Sequence, residues 1–411
     1  MTGDTLARAL DAVDSAFPQE TAFLAELVRV PSDNPPGDCA PHAERTAALL
    51  EQLGFTVARD PVPEADAEAH GMVSATNLIV RHRFGDGPVL ALNAHGDVVP
   101  PGEGWTTDPY GAEIRDGWMY GRGVAVSKSD FATYAFALRA LVASGVQLSG
   151  TVELHLTYDE EAGGEIGPRR LLDTGLSKPD FAICAGFSYA VTVAHNGCLH
   201  LEVTVTGTSA HAARPDTGHD ALEAASTLLA ALYAYRKGLA DIHSAVPGID
   251  SPSMVIGLIS GGINTNVVPD KVTLRIDRRI VPEEDCEAVE AELKAVVARA
   301  LDGLPGIGWR TQRVLLARPF GPVHGSDALA ATVAEAAQVE LGVDVPLEGV
   351  PLYADARHYA AAGIPTVMYG AGPSTLLEAN GHRADERVAL EDLRKATRVI
   401  VRVLFRLLER A

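Results

Sequence analysis

Cysteine is scarce: four in 411 residues, at positions 39, 184, 198 and 286, with no C-x-x-C spacing. That excludes a disulfide scaffold and fits a reducing cytoplasm. Positive charge is also short, with 34 Lys and Arg against 54 Asp and Glu and a formal charge of −20. A field of that sign repels phosphate backbones, so neither nucleic acid nor an acidic membrane is expected as a partner, whereas cations are attracted. No stretch approaches the roughly 20 apolar residues of a membrane span. The opening residues carry three acids, one Arg and no apolar run, so neither signal peptide nor anchor is expected there. Internal repeats and long linkers are absent too.

What is present is globular: 47% hydrophobic and 21% charged residues, in a length that suits two domains at about 100–200 residues each. The spacing predicts a helix that Pro18 starts and Pro31 ends, with Phe23, Leu24, Leu27 and Val28 as its apolar stripe. A second helix is expected over 43–53, strands over 77–80, 89–93 and 152–157, and a helix over 130–143. That alternation argues for a layered α/β domain. Near 195 the texture changes. Leu199, Leu201, Val203 and Val205 alternate with polar residues, the pattern of a strand with one wet face. Helix over 220–235, strand over 271–277 and helix over 283–301 follow, before α/β texture returns with a strand over 366–369. In the last helix Arg398, Arg402, Arg406 and Arg410 recur every four residues and read as a solvated face. The expected organisation is a catalytic α/β domain (1–194 and 316–411) interrupted by an α+β insert (195–315).

Three clusters could do chemistry. His95 ends an apolar strand, and Asp97 stands two residues on. An imidazole there suits a metal ligand, and the carboxylate can accept its other ring N–H and fix the tautomer. Asp159-Glu160-Glu161 follows another strand. Adjacent carboxylates on a turning backbone point different ways, so one can bind a cation while the other takes a proton from water. Alone, the first would be a histidine in a turn and the second a solvated acidic loop; the case rests on their occurring together. The third, Gly121-Arg122-Gly123-Val124-Ala125-Val126-Ser127-Lys128, lacks the spacing of a phosphate loop.

With these clusters in order, the chain resembles the metal-dependent amidohydrolase and exopeptidase family of acetylornithine deacetylase, succinyl-diaminopimelate desuccinylase, carboxypeptidase G and the aminoacylases. The likeness runs from Leu27-Val28-Arg29-Val30-Pro31-Ser32 through the clusters above to Gly207-Thr208-Ser209-Ala210-His211, with Pro215 and Gly218. It continues in Asn266-Val267-Val268-Pro269, Asp277-Arg278-Arg279 with Pro282, Gly363-Ile364-Pro365-Thr366, and His382 with Asp385 and Glu386. The resemblance implies a catalytic α/β domain with a mixed sheet, an inserted lid and dimerisation domain, and a homodimer acting on a small molecule. By the same likeness His95, Glu161 and His382 are metal ligands, Asp97 orients His95, and Glu160 is the general base on metal-bound water. His211 is the lid histidine that stabilises the oxyanion in a neighbouring subunit, and Asn266 and Arg279 hold a substrate carboxylate.

Two positions depart from the family pattern. The aspartate that bridges two metal ions is Val126 here. The carboxylate of a Glu-Pro-Thr stretch is replaced within Cys184-Ala185-Gly186-Phe187. Two imidazoles and one carboxylate remain, enough for one divalent ion, zinc or manganese. Asp130 and Cys184 are alternative donors. The blander readings are a helix N-terminal acid and a buried strand thiol. The expected reaction is hydrolysis of an amide-type C–N bond. Two alternatives stand beside it: an aminohydrolase releasing ammonia from an aromatic or ureido substrate, and a non-catalytic binding protein. The retained Glu160 argues against the second.

Overall fold

The computed structural model describes residues 2–409, without the side chains of residues 2, 3 and 376. It divides into two compact units. One holds the described residues up to Val193, Pro322–Glu348 and those from Ala354 onward; the other holds Ala194–Gly321 with Gly349–Tyr353. Residues 316–321 and Gly349–Tyr353, which the sequence reading leaves in the final catalytic segment, group with the second unit.

The larger unit is built on a mixed sheet. Its order is Val57–Pro61, Thr76–Arg83, Thr151–Thr157, Val89–His95, Phe181–Cys184, Thr366–Met368, Val191–His195, Leu347–Val350. Alternate apolar side chains of the central strands, such as Leu90, Leu92, Leu154 and Leu156, are fully buried. The helices Thr2–Val28, Lys128–Ser144, Ser326–Leu341 and Leu390–Leu408 join them in one core. Strand Val89–His95 runs parallel to Thr151–Thr157, with His95 opposite Thr157, and parallel to Phe181–Cys184. Their carboxyl ends therefore lie side by side, the edge where open α/β sheets carry ligands.

Two expectations fail here. The first helix runs through Pro18 from Thr2 instead of starting at it. An interior proline costs about 3 kcal/mol, but this helix is held along its length by buried Val13, Phe23, Leu24 and Leu27, and that burial outweighs the local break. The arginines of the last helix are not merely solvated. Arg398 pairs with Glu340 (2.6 Å) and Asp14 (2.8 Å), and Arg402 also pairs with Glu340. They join three helices, and the partner acids lie too far off in sequence for spacing to show them. Arg410 lies outside the described residues.

Burial in this core leaves a titratable group. Glu20 is fully buried, its Oε1 accepts from Thr397 Oγ1 at 2.5 Å, and its Oε2 has no partner. Burial pushes this carboxyl up to about 8, against the Thr397 bond. The folded state thus keeps a proton that the unfolded state has released. Stability is full below the unfolded value and is lost as pH rises towards and through about 8. We expect Glu20→Gln to flatten that loss, by up to about 1.4 kcal/mol per pH unit for one group. Denaturation curves at pH 4 and pH 9 check this: the variant should gain on wild type between the two, from about the unfolded value up to about 8.

The inserted unit is an antiparallel sheet in the order Met254–Gly261, Lys271–Ile280, Gly197–Thr206, Gly308–Ala317. Helices Ala221–Gly238 and Cys286–Leu301 cover one face, over Leu199, Leu201, Val203, Leu274 and Ile276. Each helix starts at an aspartate whose carboxylate accepts the first free amides: Asp220 from Leu222 and Glu223, Asp285 from Ala288. Among the described residues no helix is long and apolar enough to cross a membrane.

Candidate active site

Parallel pairing brings the residues after His95 and Thr157 together at one edge, and Asp97 ties them. Its Oδ1 accepts from the Glu160 amide at 3.2 Å, and its Oδ2 accepts from the Glu161 amide at 3.0 Å and from Asn34 Nδ2 at 3.0 Å. The same carboxylate lies 3.4 Å from His95 Nδ1, which also meets the Asp97 carbonyl at 3.0 Å. With Nδ1 facing acceptors, the lone pair falls on Nε2, which lies 3.9 Å from Glu160 Oε2. His382 Nε2 lies 3.3 Å from Glu161 Oε1. Besides the contacts of Asp97, the predicted residues of this unit meet in two pairs, His95 with Glu160 and His382 with Glu161.

Ser127 completes the frame from the start of the helix Lys128–Ser144. Its Oγ accepts from the His95 amide and donates to the His95 carbonyl, both at 3.0 Å. Across the site, Arg357 Nη2 donates to the Gly163 carbonyl, and His358 Nε2 lies 3.2 Å from the same oxygen. That fixes the turn that carries Glu160 and Glu161. Sequence reasoning missed Asn34, Ser127, Asp355, Arg357 and His358. Ser127 lies in the third cluster without a role there, Asp355, Arg357 and His358 stand together in a short charged run, and Asn34 sits beside Pro35-Pro36, which marks a turn.

Negative charge is in excess here. Burial first, then neighbouring Glu161 and Asp97, push Glu160 up to about 7 against the pull of His95. Burial and Asp97 push Asp159 to about 7. Burial, Glu160 and Asp159 hold Asp355 well above the carboxylate range. Asp159 Oδ1 and both Asp355 oxygens are buried without a hydrogen-bond partner. For His382, the Glu161 hydrogen bond raises the imidazole. Crowded carboxylates, orphan oxygens and two imidazoles suit a divalent cation, which would relieve the repulsion.

Val126 offers no metal donor, and Gly186 has no room for one. The Val126 amide donates to Glu386 Oε1 at 3.3 Å, and its side chain packs on the core. A Cβ on Gly186 would lie 2.9 Å from the Tyr369 amide nitrogen and 3.0 Å from the Met368 carbonyl carbon. Asp130 is buried, accepts from the Ala371 amide at 2.7 Å, and is pushed by burial to about 8. Burial holds the Cys184 thiol well above its usual range.

The predicted residues of the inserted unit lie apart from one another in two places. His211 and Asn266 are exposed on adjoining segments, where the Ala212 amide donates to the Asn266 carbonyl at 3.0 Å. Arg279, on the strand Lys271–Ile280, pairs with Asp277 at 3.1 Å and lies over the Tyr353 ring.

Comparison with known proteins agrees with this architecture. Residues 91–406 match the model of peptidase family M20/M25/M40. The chain is 30% identical to a succinyl-diaminopimelate desuccinylase of Rhodospirillum centenum over 95% of its length and 97% of that protein's. It is also 30% identical to one of Stenotrophomonas maltophilia, over 94% and 98%. Among solved structures, a Saccharomyces cerevisiae dipeptidase matches with a TM-score of 0.78 at 16% identity, covering 97% of this chain and 98% of that one. A metallo-carboxypeptidase of Sulfolobus solfataricus matches with 0.77 at 17%, covering 94% and 98%. A Bacillus subtilis peptidase described as binding a dinuclear metal matches with 0.65 at 18%, covering 96% and 99%. With the match spanning most of the chain, the protein belongs to peptidase family M20/M25/M40 and is a metal-dependent hydrolase of amide-type C–N bonds.

Proposed function

We propose that the protein cleaves the amide bond of a small N-acylated amino acid with one divalent ion per chain, zinc or manganese. The observation that carries this reading is the reach of Asp97, whose one carboxylate orients His95 and both amides of the Glu160-Glu161 turn. Glu161, His382 and His95 would hold the ion. When bound, it would polarise the scissile carbonyl and make water more acidic. Glu160 takes the proton of the attacking water and returns it to the leaving nitrogen. Arg357 and His358, on the Gly163 carbonyl, hold that base in place.

In this reading Asn266 and Arg279 bind the substrate carboxylate, and His211 supplies the oxyanion donor to a second copy of the chain. His211 Nδ1 accepts from the Ala213 amide at 3.1 Å, which puts the ring proton on Nε2, where a donor is needed. The exposed apolar side chains of Val255, Leu258, Ile259 and Ile263 lie on or just after the edge strand Met254–Gly261 and favour a homodimer. The four cysteines are buried and form no disulfide, consistent with a cytoplasmic location.

A panel of N-acyl amino acids, N-succinyl diamino acids included, incubated with manganese-loaded protein tests the reaction. Equimolar release of acid and amine is expected, and ammonia release instead would favour an aminohydrolase. Elemental analysis of the same sample should give one manganese per chain, because Val126 and Gly186 offer no donor. Two tightly held manganese ions would overturn the count.

A further inference from the structure

The face of the inserted sheet opposite its helices carries a donor group that the proposed reaction does not use. On the strand Gly197–Thr206, Leu199 and Leu201 point into the core, so Cys198 and His200 point to the other side. Asp277 is paired directly with His200, and Arg279 with Cys198. On the far side of the Cys198 strand the paired residues are Ala317 and Leu315, both uncharged. One donor atom each from Cys198, His200 and Asp277 all lie within 4.8 Å of one another. Among the described residues this is the one His, Cys, Asp or Glu trio so gathered.

We infer that Cys198, His200 and Asp277 form a binding site for a soft divalent ion, zinc or cobalt, separate from the ion of the reaction. The separations suit it. Tetrahedral zinc, with bonds of about 2.0–2.3 Å, sets its ligand atoms roughly 3.3–3.8 Å apart. Here Cys198 Sγ lies 3.4 Å from Asp277 Oδ1, and His200 Nε2 lies 3.5 Å from the other oxygen, Oδ2, so Asp277 faces one donor with each oxygen. Cys198 is buried while His200 and Asp277 are half-buried, so the ion would have a protein side and an approach side. Arg279 donates to both Asp277 oxygens (3.1 and 3.2 Å). Metal-binding carboxylates are commonly hydrogen-bonded in this way, and Arg279 keeps that role in the loaded site. Its charge lowers affinity for any cation, so a ligand set with thiolate favours zinc or cobalt over manganese. On binding, the Cys198 S–H now donating to Asp277 ionises, the sulfur lone pair goes to the metal, and the proton leaves to solvent.

The test uses full-length protein loaded with cobalt. Sulfur is absent from His95, Glu161 and His382, so a near-ultraviolet thiolate-to-cobalt charge-transfer band reports only a cysteine ligand. Wild type should show the band and hold one more equivalent of cobalt than of manganese. Cys184→Ser should keep both features; Cys198→Ser should lose both while retaining its manganese. His200→Ala, which keeps the sulfur, should lose the extra equivalent, and it serves should Cys198→Ser not fold. No band in wild type, or a band that survives Cys198→Ser or is lost in Cys184→Ser, overturns the site.

Discussion

Glu160→Gln should lower kcat by about 10²–10⁴-fold, the usual loss when general acid–base catalysis is removed, while leaving bound metal unchanged. The substitution keeps the side chain's size and, through the backbone, the Glu160 amide bond to Asp97. It leaves Glu161 and its 3.3 Å contact with His382 intact. It removes the one carboxylate that faces His95 Nε2 across 3.9 Å with no ligand role in the proposed scheme. KM should change little, because the loss falls on the transition state. The acid limb of the kcat/KM profile, where the base becomes protonated, should vanish with it. Glu161→Gln should differ by losing the ion first and activity as a consequence. Steady-state rates together with metal content separate the two. Turnover within a few-fold of wild type at full metal occupancy would assign the base elsewhere.

Much of this site is legible in sequence because its chemistry sits at the ends of strands. His95 and Asp97 follow one apolar run, and Asp159 to Glu161 follow another, so local pattern alone marks both. Parallel pairing, with His95 opposite Thr157, is what joins them, and no window of sequence contains that fact. The insert is legible for a related reason: Leu199 to Val205 alternate cleanly, and all four apolar side chains are buried as alternation requires. Residues that act through partners far along the chain are not legible. Asn34 reaches Asp97 across 63 residues, and Arg357 reaches Gly163 across 194. Pro18 fails in the opposite sense, since a strong local signal is overridden by burial along the helix. The last helix shows a third limit. A stripe of arginines at helical spacing looks the same whether water or the carboxylate of Glu340 receives it.

The largest stability effect is expected at a pair outside the catalytic groups, Arg122 and Glu386. Both side chains are 1% exposed, with Arg122 Nη1 2.5 Å from Glu386 Oε2. Glu386 Oε1 also accepts from the Ala125 amide (3.1 Å) and the Val126 amide (3.3 Å), so one carboxylate holds the segment between Arg122 and Ser127. That segment ends at the hydroxyl that brackets the His95 backbone. Glu386→Ala would strand a buried guanidinium and two amides. Removing one partner of a buried pair costs about 3–5 kcal/mol, a large share of the roughly 5–15 kcal/mol that holds a domain together. Replacing both partners, as in Arg122→Met with Glu386→Leu, removes the stranded charge, and such exchanges are often neutral. Here it should recover only part of the loss, because the Ala125 and Val126 amides still lack an acceptor, at about 1–3 kcal/mol each. The expected order of stability is wild type, then the double variant, then Glu386→Ala. Activity should fall in both variants, since the Ser127 contact to His95 depends on the same segment. Urea denaturation of the three proteins reads the order directly. A single variant within about 1 kcal/mol of wild type would mean that water replaces the carboxylate, and that this pair does not hold the segment beneath His95.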